Sequence, residues 1–193
     1  MSSEYSDNEL IEAAKGGDED AFGQIMTRYR DPLTNYLFRM LGDYEEAVDL
    51  AQESFVRVYF ALGRYTTDFA FSTYIYRIAT NLAISEIRKR KRRQLFSLTA
   101  MFDFGDGDKK DFEPADSRPD AAEDVSADEQ SMMIAKAVAS LPEKYRAPVI
   151  LRDIQELSYE EISEALGLGM GTIKSRISRG RSILREKLER YLK

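Results

Sequence analysis

The segment from Ser158 to Lys187 constrains the fold most, because it encodes two helices joined by a tight turn. Ser158 and Glu161 have the spacing of a capping box, in which each side chain satisfies a free backbone N–H at a helix start. Gly167-Leu-Gly169 ends this short helix, and glycine can take the positive φ of a tight turn. A second helix is predicted from about Thr172. The segment therefore predicts a helix-turn-helix, whose second helix fits the DNA major groove.

The predicted second helix has an apolar and a basic face. Its inward positions are Ile173, Ile177, Leu184 and Leu188. Its outward positions include Lys174, Arg176, Arg179 and Arg181. Charge runs on a surface helix are usually just solvated, so a plain helix pair is the alternative interpretation. The agreement of cap, turn and apolar spacing favours DNA binding.

The composition excludes several classes of function. The chain has 193 residues, enough for one or two small domains, and contains neither Cys nor His. Disulfides and thiolate zinc sites are therefore excluded, and the commonest general base is missing. The pairs of adjacent acidic residues in the sequence fall on exposed helix faces. We therefore expect that the chain is not an enzyme and has no cofactor or metal site. No signal peptide or long apolar run occurs, which predicts a cytoplasmic protein without membrane insertion.

Charge divides the chain into three parts. The net charge is −6, but residues 103–129 hold eleven acidic and three basic residues, so the rest is net positive. Arg88–Arg93 is a run of six cations, and residues 172–193 hold eight Lys/Arg and two Glu. The middle segment also contains Gly and Pro and lacks apolar periodicity, which predicts a flexible linker. We expect domains at 1–96 and 129–193, joined by an acidic linker at 97–128.

Both domains are predicted to be helical, since apolar residues recur at helical intervals and no strand alternation is found. The all-α prediction places a bend at Asp31-Pro32. The expected helices are Asp7–Gly17, Asp18–Gly42, Asp43–Gly63, one starting near Phe71, Glu129–Ser140 and Glu143–Gln155.

Aromatic residues crowd the region just before the cation run. Tyr65, Phe71 and Tyr74 lie at the start of the helix that ends in Arg88–Arg93. Aromatic rings stack on exposed bases and cations bind phosphates, so this pattern indicates single-strand binding. Phe71 and Tyr74 are better explained as core residues. Tyr65 is the stronger stacking candidate, and the cation run is stronger still, because a polyanion relieves its repulsion.

Three motifs in this order resemble bacterial sigma factors. Asp43–Tyr59 is similar to their core-polymerase-binding helix, and Phe71–Arg90 to their promoter-melting segment. Ser140–Arg146 followed by Gly171–Arg176 is similar to their C-terminal domain. A two-domain form with only a linker resembles the extracytoplasmic-function (ECF) group. The resemblance implies a transcription initiation factor whose partners are core RNA polymerase, promoter DNA and an anti-sigma factor.

The resemblance also implies site residues. It assigns core-polymerase binding to Asp49, Gln52 and Glu53. It assigns recognition of the −10 element to Tyr65, Asp68, Tyr74, Arg77, Asn81, Arg88, Lys89 and Arg92. It assigns recognition of the −35 element to Thr172, Lys174, Ser175, Arg176, Ser178 and Arg179. Gly180 stands where this family usually has Ala, and we expect it to weaken the recognition helix by about 1 kcal/mol.

The alternative function is a free-standing helix-turn-helix activator whose helical N-terminal domain senses a signal. A bare activator leaves the cation run after an aromatic helix unexplained. An enzyme is the third and least favoured class, because the chain lacks both His and Cys.

Overall fold

The computed structural model describes residues 5–66, 70–103 and 134–191, with side chains omitted at 96–103 and 190–191. Within those ranges all regular structure is helical and no strand occurs, which confirms the all-α prediction. Asp68 lies outside the described residues, as does the predicted linker beyond residue 103.

The helices follow one another with short connections. The N-terminal half contains α1 (Asp7–Lys15), α2 (Glu19–Leu41), α3 (Tyr44–Ala61), a 3₁₀ turn (Leu62–Arg64) and α4 (Phe71–Asp103). In the C-terminal half, α5 is described over residues 134–139, and it is followed by α6 (Glu143–Asp153), α7 (Tyr159–Leu166) and α8 (Met170–Tyr191).

Short polar side chains start the N-terminal helices. Ser6 and Glu9 form a capping box at α1. Asp18 and Asp43 each accept a hydrogen bond from a backbone N–H of the first turn at 3.0 Å. Gly42 ends α2 with φ of 75°, in the left-handed region that favours glycine. These caps fix the tight connections that let α1 and α3 each pack against α2.

The N-terminal core lies between α2, α3 and α4. Its largest fully buried side chains are Tyr36, Phe71, Ile11, Ile25, Leu33, Leu37, Met40 and Ile75. The Tyr36 hydroxyl hydrogen-bonds Thr80 Oγ1 at 2.6 Å, and burial raises the pKa of Tyr36. This core holds α4 in a fixed orientation, so the outward face of α4 is presented by a rigid element.

Two helices continue through points where the sequence favours a bend or a linker. Pro32 lies inside α2, which runs from Glu19 to Leu41 in agreement with the expected helix Asp18–Gly42. Its neighbours Leu33, Tyr36 and Leu37 are fully buried, and tertiary packing of this kind outweighs the local cost of proline. Helix α4 reaches Asp103, so residues 97–103, which fall in the predicted linker, are helical. The physical reason is that Gly105 is the first strong helix breaker after Arg93.

The C-terminal half packs α8 across α6 and α7. Ile150, Leu151, Ile162, Ile173 and Ile177 form its core. A Cβ at Gly180 would lie 2.6 Å from Val149 Cγ2, well inside normal contact distance. Gly180 is thus required for the close approach of α8 to α6.

The two halves also contact each other. Helix α7 packs against α4, and α6 packs against α2.

Candidate nucleic-acid interface

The helix-turn-helix has the geometry that its sequence predicts. Ser158 N donates to Glu161 Oε2 at 2.8 Å and Glu161 N donates to Ser158 Oγ at 3.1 Å, which confirms the capping box. Gly167 caps α7 with φ of 62°. Helix α8 begins at Met170, two residues before the predicted start. Ile173 and Ile177 are buried, so the opposite face of α8 points outward.

The outward face of α8 carries the residues expected to read the −35 element. The exposed residues of this set are Thr172, Lys174, Ser175, Ser178 and Arg179. Arg176 is partly buried. Lys174 Nζ lies 5.8 Å from the Tyr159 ring centroid, which steadies the amine without neutralising it. Arg181 instead pairs with Asp153 of α6. Its role is therefore to join two helices of the half.

Helix α4 presents a mixed aromatic and cationic face. Tyr74, Arg77, Asn81 and Arg88 follow the three- and four-residue spacing of one helix face. The Arg77 guanidinium lies 5.6 Å from the Tyr74 ring centroid. Tyr74 is partly exposed, and Arg77 and Asn81 on the same face are exposed. This arrangement suits a single strand, since rings stack on bases and cations bind phosphates.

Tyr65 and Phe71 lie beneath that face. Tyr65 is only 6% exposed, and its ring centroid lies 5.0 Å from that of Tyr74 and 5.9 Å from that of Phe71. Phe71 is fully buried, which confirms its interpretation as core. Tyr74 therefore presents the ring nearest to solvent in this cluster.

Sequence reasoning missed a small cavity behind Tyr74. Its volume is about 150 Å³, and Tyr65, Thr73 and Arg77 line it together with Glu164 of α7. A cavity of this volume admits a six-membered aromatic ring. The Thr73 Oγ1 atom is buried and has no hydrogen-bond partner among the residues that the structure describes. The local signal was weak, because a threonine in the first turn of a helix is common.

The cation run divides into structural and free members. Arg90 bonds Glu46 of α3 and donates to the Leu41 carbonyl at 3.2 Å, so it joins α4 to the ends of α2 and α3. Lys89 pairs with Glu86 at 3.2 Å. Arg88 and Arg92 are exposed, and no ion pair is found for them within the described ranges. The sequence showed six equivalent cations, and only the fold distinguishes Arg90.

Helix α3 carries a separate exposed surface. Asp49 and Gln52 are exposed, and Glu53 is held by Arg57, whose Nε donates to it at 3.0 Å. Beside them, Val56 and Tyr59 are half exposed and Phe60 is 83% exposed. A groove of about 860 Å³ between α2 and α3 is lined by Gln52, Met26 and Tyr44, among others. An exposed apolar patch rimmed by polar groups is typical of a protein-binding surface.

The described parts of the chain contain neither a membrane-spanning helix nor a cluster of metal-binding side chains. No helix there is long and apolar enough to cross a membrane. No group of three or more acidic residues there could hold a metal ion.

This fold defines a helix-turn-helix DNA-binding protein. The family model Sigma-70 region 2 matches residues 25–93, and Sigma-70, region 4 matches residues 131–184. The ECF RNA polymerase sigma factor SigW of Bacillus subtilis is 39% identical, covering 92% of this chain and 94% of SigW. The RNA polymerase sigma-H factor of Pseudomonas aeruginosa is 34% identical, covering 100% of this chain and 99% of that protein.

Solved structures share the fold. The sigma factor RpoE from Bartonella quintana, in complex with the anti-sigma factor NepR, aligns with a TM-score of 0.65 at 24% identity, over 87% of this chain and 96% of that one. CnrH, in complex with the cytosolic domain of CnrY, aligns with a TM-score of 0.68 at 21% identity, over 95% of this chain and 97% of that one. The chain belongs to the ECF family of RNA polymerase sigma factors and is a transcription initiation factor.

Proposed function

We propose that this chain binds core RNA polymerase, recognises promoter −35 and −10 elements and promotes strand opening. The observation that supports the proposal is that one chain carries two exposed cationic faces of different composition, on α8 and on α4. Helix α8 offers a recognition helix for duplex DNA. Helix α4 offers rings and cations suited to a single strand. A factor that reads one element as duplex and opens the other needs both.

The −35 element is assigned to α8 and the −10 strand to α4. Exposed Lys174 can reach a base edge, because long donors read guanine in the major groove. Arg176 is expected to share that role once it is fully accessible. Arg88 and Arg92 are assigned to phosphates, which position DNA without reading its sequence. Arg77, which lines the small cavity, and Asn81, one turn further along α4, are assigned to the opened strand, where an unstacked base can be read on its pairing edge.

Core polymerase is assigned to the α3 surface. Asp49, Gln52 and the apolar residues Val56 and Tyr59 lie at the three- and four-residue spacing of one helix face. Such a face suits a helical partner that packs against α3 and into the adjoining groove. The sequence resemblance to a core-binding helix and this exposed surface fall on the same element.

Binding to core polymerase also bears on where this chain acts, on whether it catalyses a reaction and on its further partners. A factor that works on core polymerase acts in the cytoplasm and contributes binding energy rather than catalysis. An anti-sigma factor is a further proposed partner, in keeping with the complexes in which the similar RpoE and CnrH were solved. The α3 surface is the proposed target of such an inhibitor, since covering it would block polymerase.

Binding to purified core polymerase tests the α3 assignment. Asp49→Lys reverses an exposed charge on the proposed surface, whereas Glu160→Lys makes the same change on α7. We expect Asp49→Lys to weaken binding about tenfold or more, because charge reversal at an interface costs several kcal/mol. Glu160→Lys should bind like the unmodified chain. Equal affinities for both variants would contradict the assignment, and duplex binding with no effect of core would favour the free-standing activator.

A further inference from the structure

An open crevice lies where α4, α6, α7 and α8 meet. Its volume is about 310 Å³, at the lower end of the range of small-molecule sites in proteins. It shares no lining residue with the small cavity behind Tyr74. The crevice is therefore a separate candidate site, and we name it the basic crevice after the cations that line it.

Three cationic side chains from three different helices line the basic crevice. They are Arg88 of α4, Lys144 of α6 and Arg176 of α8. In the part of the chain that the structure describes, none of the three forms an ion pair, and Arg176 is partly buried. Glu143 also lines the crevice, but Lys91 pairs with it and offsets its charge. Cations held together without counter-charges repel one another, so the crevice favours a ligand with several negative charges.

Much of the remaining lining of the basic crevice is apolar. Ile84 of α4, Pro148 of α6 and Leu166 of α7 contribute to it, and both Ile84 and Leu166 are partly exposed. Asn81 lines the crevice too, and its exposed amide offers both donors and an acceptor, as the edge of a nucleobase requires. Inorganic phosphate would use the cations and leave the apolar lining in water. The lining therefore favours an anion that also carries an aromatic ring.

We propose that the basic crevice binds a free nucleoside triphosphate. The phosphates lie among Arg88, Lys144 and Arg176, and the base packs on the apolar lining within reach of Asn81. Nucleotide and promoter DNA then compete, because Arg88 and Arg176 are also assigned to DNA. That competition rests on the proposed function, whereas nucleotide binding itself does not.

Lys144 is the residue that separates nucleotide binding from DNA binding. It is exposed, and it belongs neither to the α4 face nor to the α8 face. Its Nζ lies 4.9 Å from the Tyr145 ring centroid, a contact that leaves its charge available to a ligand. Lys136 of α5 is an exposed lysine that does not line the crevice. Lys144→Gln and Lys136→Gln therefore form a matched pair, since each removes one exposed charge.

Fluorescence anisotropy with an ATP derivative labelled on the ribose measures nucleotide binding by the full chain. We expect saturable binding that Lys144→Gln weakens about tenfold, because it removes a hydrogen bond between charged groups. Lys136→Gln should bind like the unmodified chain. Unlabelled ATP should displace the probe at lower concentration than tripolyphosphate, which has the charge but no ring. Equal affinities of the two variants, absence of saturable binding, or equal displacement by ATP and tripolyphosphate would each overturn the proposal.

A labelled DNA duplex of mixed sequence distinguishes a nucleotide site from an extension of the DNA interface. Lys144→Gln should bind this duplex as tightly as Lys136→Gln does. If Lys144→Gln weakens duplex binding and ATP binding alike, the crevice receives DNA phosphates and the proposal is wrong. Failure of the proposed function looks different: core polymerase would open no promoter, whereas the difference between the two variants in ATP binding would persist.

Discussion

Replacing Gly180 with alanine gives opposite outcomes from sequence and from structure. Glycine inside a helix costs about 1 kcal/mol relative to alanine, so helix propensity alone predicts that Gly180→Ala stabilises the chain. In the structure the new methyl group would lie 2.6 Å from Val149 Cγ2, and 3.4 Å from Tyr145 Cβ. Val149 is buried and β-branched, which leaves it few rotamers into which it could move.

The expected magnitude follows from these two contributions. A carbon pair needs about 3.5 Å, so α8 and α6 must separate by roughly 1 Å or distort locally. Overpacking of this size typically costs 1–3 kcal/mol, about 1 kcal/mol of which is offset by helix propensity. We expect the free energy of unfolding to fall by about 1 kcal/mol. Displacement of α8 should also weaken binding to −35 duplex DNA.

Urea unfolding followed by far-ultraviolet circular dichroism measures this change. Gly23→Ala is the matched control, because Gly23 is exposed inside α2 and an added Cβ meets nothing within 4 Å. Gly23→Ala should stabilise by about 1 kcal/mol, as propensity predicts. Equal stabilisation by Gly180→Ala and Gly23→Ala would contradict the close approach of α8 to α6 at Gly180.

Three further predictions concern DNA binding and stability. Lys174→Ala should cost about 1–3 kcal/mol on cognate −35 duplex and little on scrambled duplex, whereas Arg92→Ala should weaken both alike and reduce the salt dependence of binding. Arg90→Ala should lower the free energy of unfolding by about 1–2 kcal/mol, measured in urea, because it removes hydrogen bonds to Glu46 and to a carbonyl. The free energy of unfolding, measured as a function of pH, should fall above about pH 10. Burial raises the pKa of Tyr36 and Tyr76 above the value in the unfolded chain, so ionisation of these tyrosines at high pH favours unfolding.

Each of these predictions has its own contradicting result. Equal losses on cognate and scrambled DNA for Lys174→Ala would remove its assignment as a base reader. Lys89→Ala is the control for Arg90, because Lys89 forms only an exposed pair and should change stability by less than about 0.5 kcal/mol. If both variants lose equal stability, Arg90 is not a structural link. Unchanged stability well above pH 10 would contradict the burial of the tyrosines.

Local features of this chain could be predicted well from sequence. The capping box of Ser158 and Glu161 and the left-handed Gly167 depend on neighbouring residues only, and both were confirmed. The extent of α2 was predicted from its apolar spacing, but the burial of Leu33 and Tyr36 could not be, because it comes from packing against distant helices.

Contacts between distant parts of the chain left no readable pattern. Arg90 resembles its neighbours in sequence, and only folding brings it to Glu46, 44 residues away. The hydrogen bond between Tyr76 and Gln155 spans 79 residues. The candidate surfaces on α3, α4 and α8 were predicted as separate elements. The packing of α7 against α4 and of α6 against α2 required the structure, since it joins parts of the chain that are distant in sequence.

Strand opening at a promoter separates a sigma factor from a simple activator. Candidate promoters from the source genome are incubated with core polymerase alone, with this chain alone and with both, and unpaired thymines are located by permanganate footprinting. We expect thymine reactivity in the −10 region only when both components are present. Binding of the chain to duplex DNA, with no reactive thymines when a core polymerase shown to bind it is added, would contradict the account and favour a simple activator.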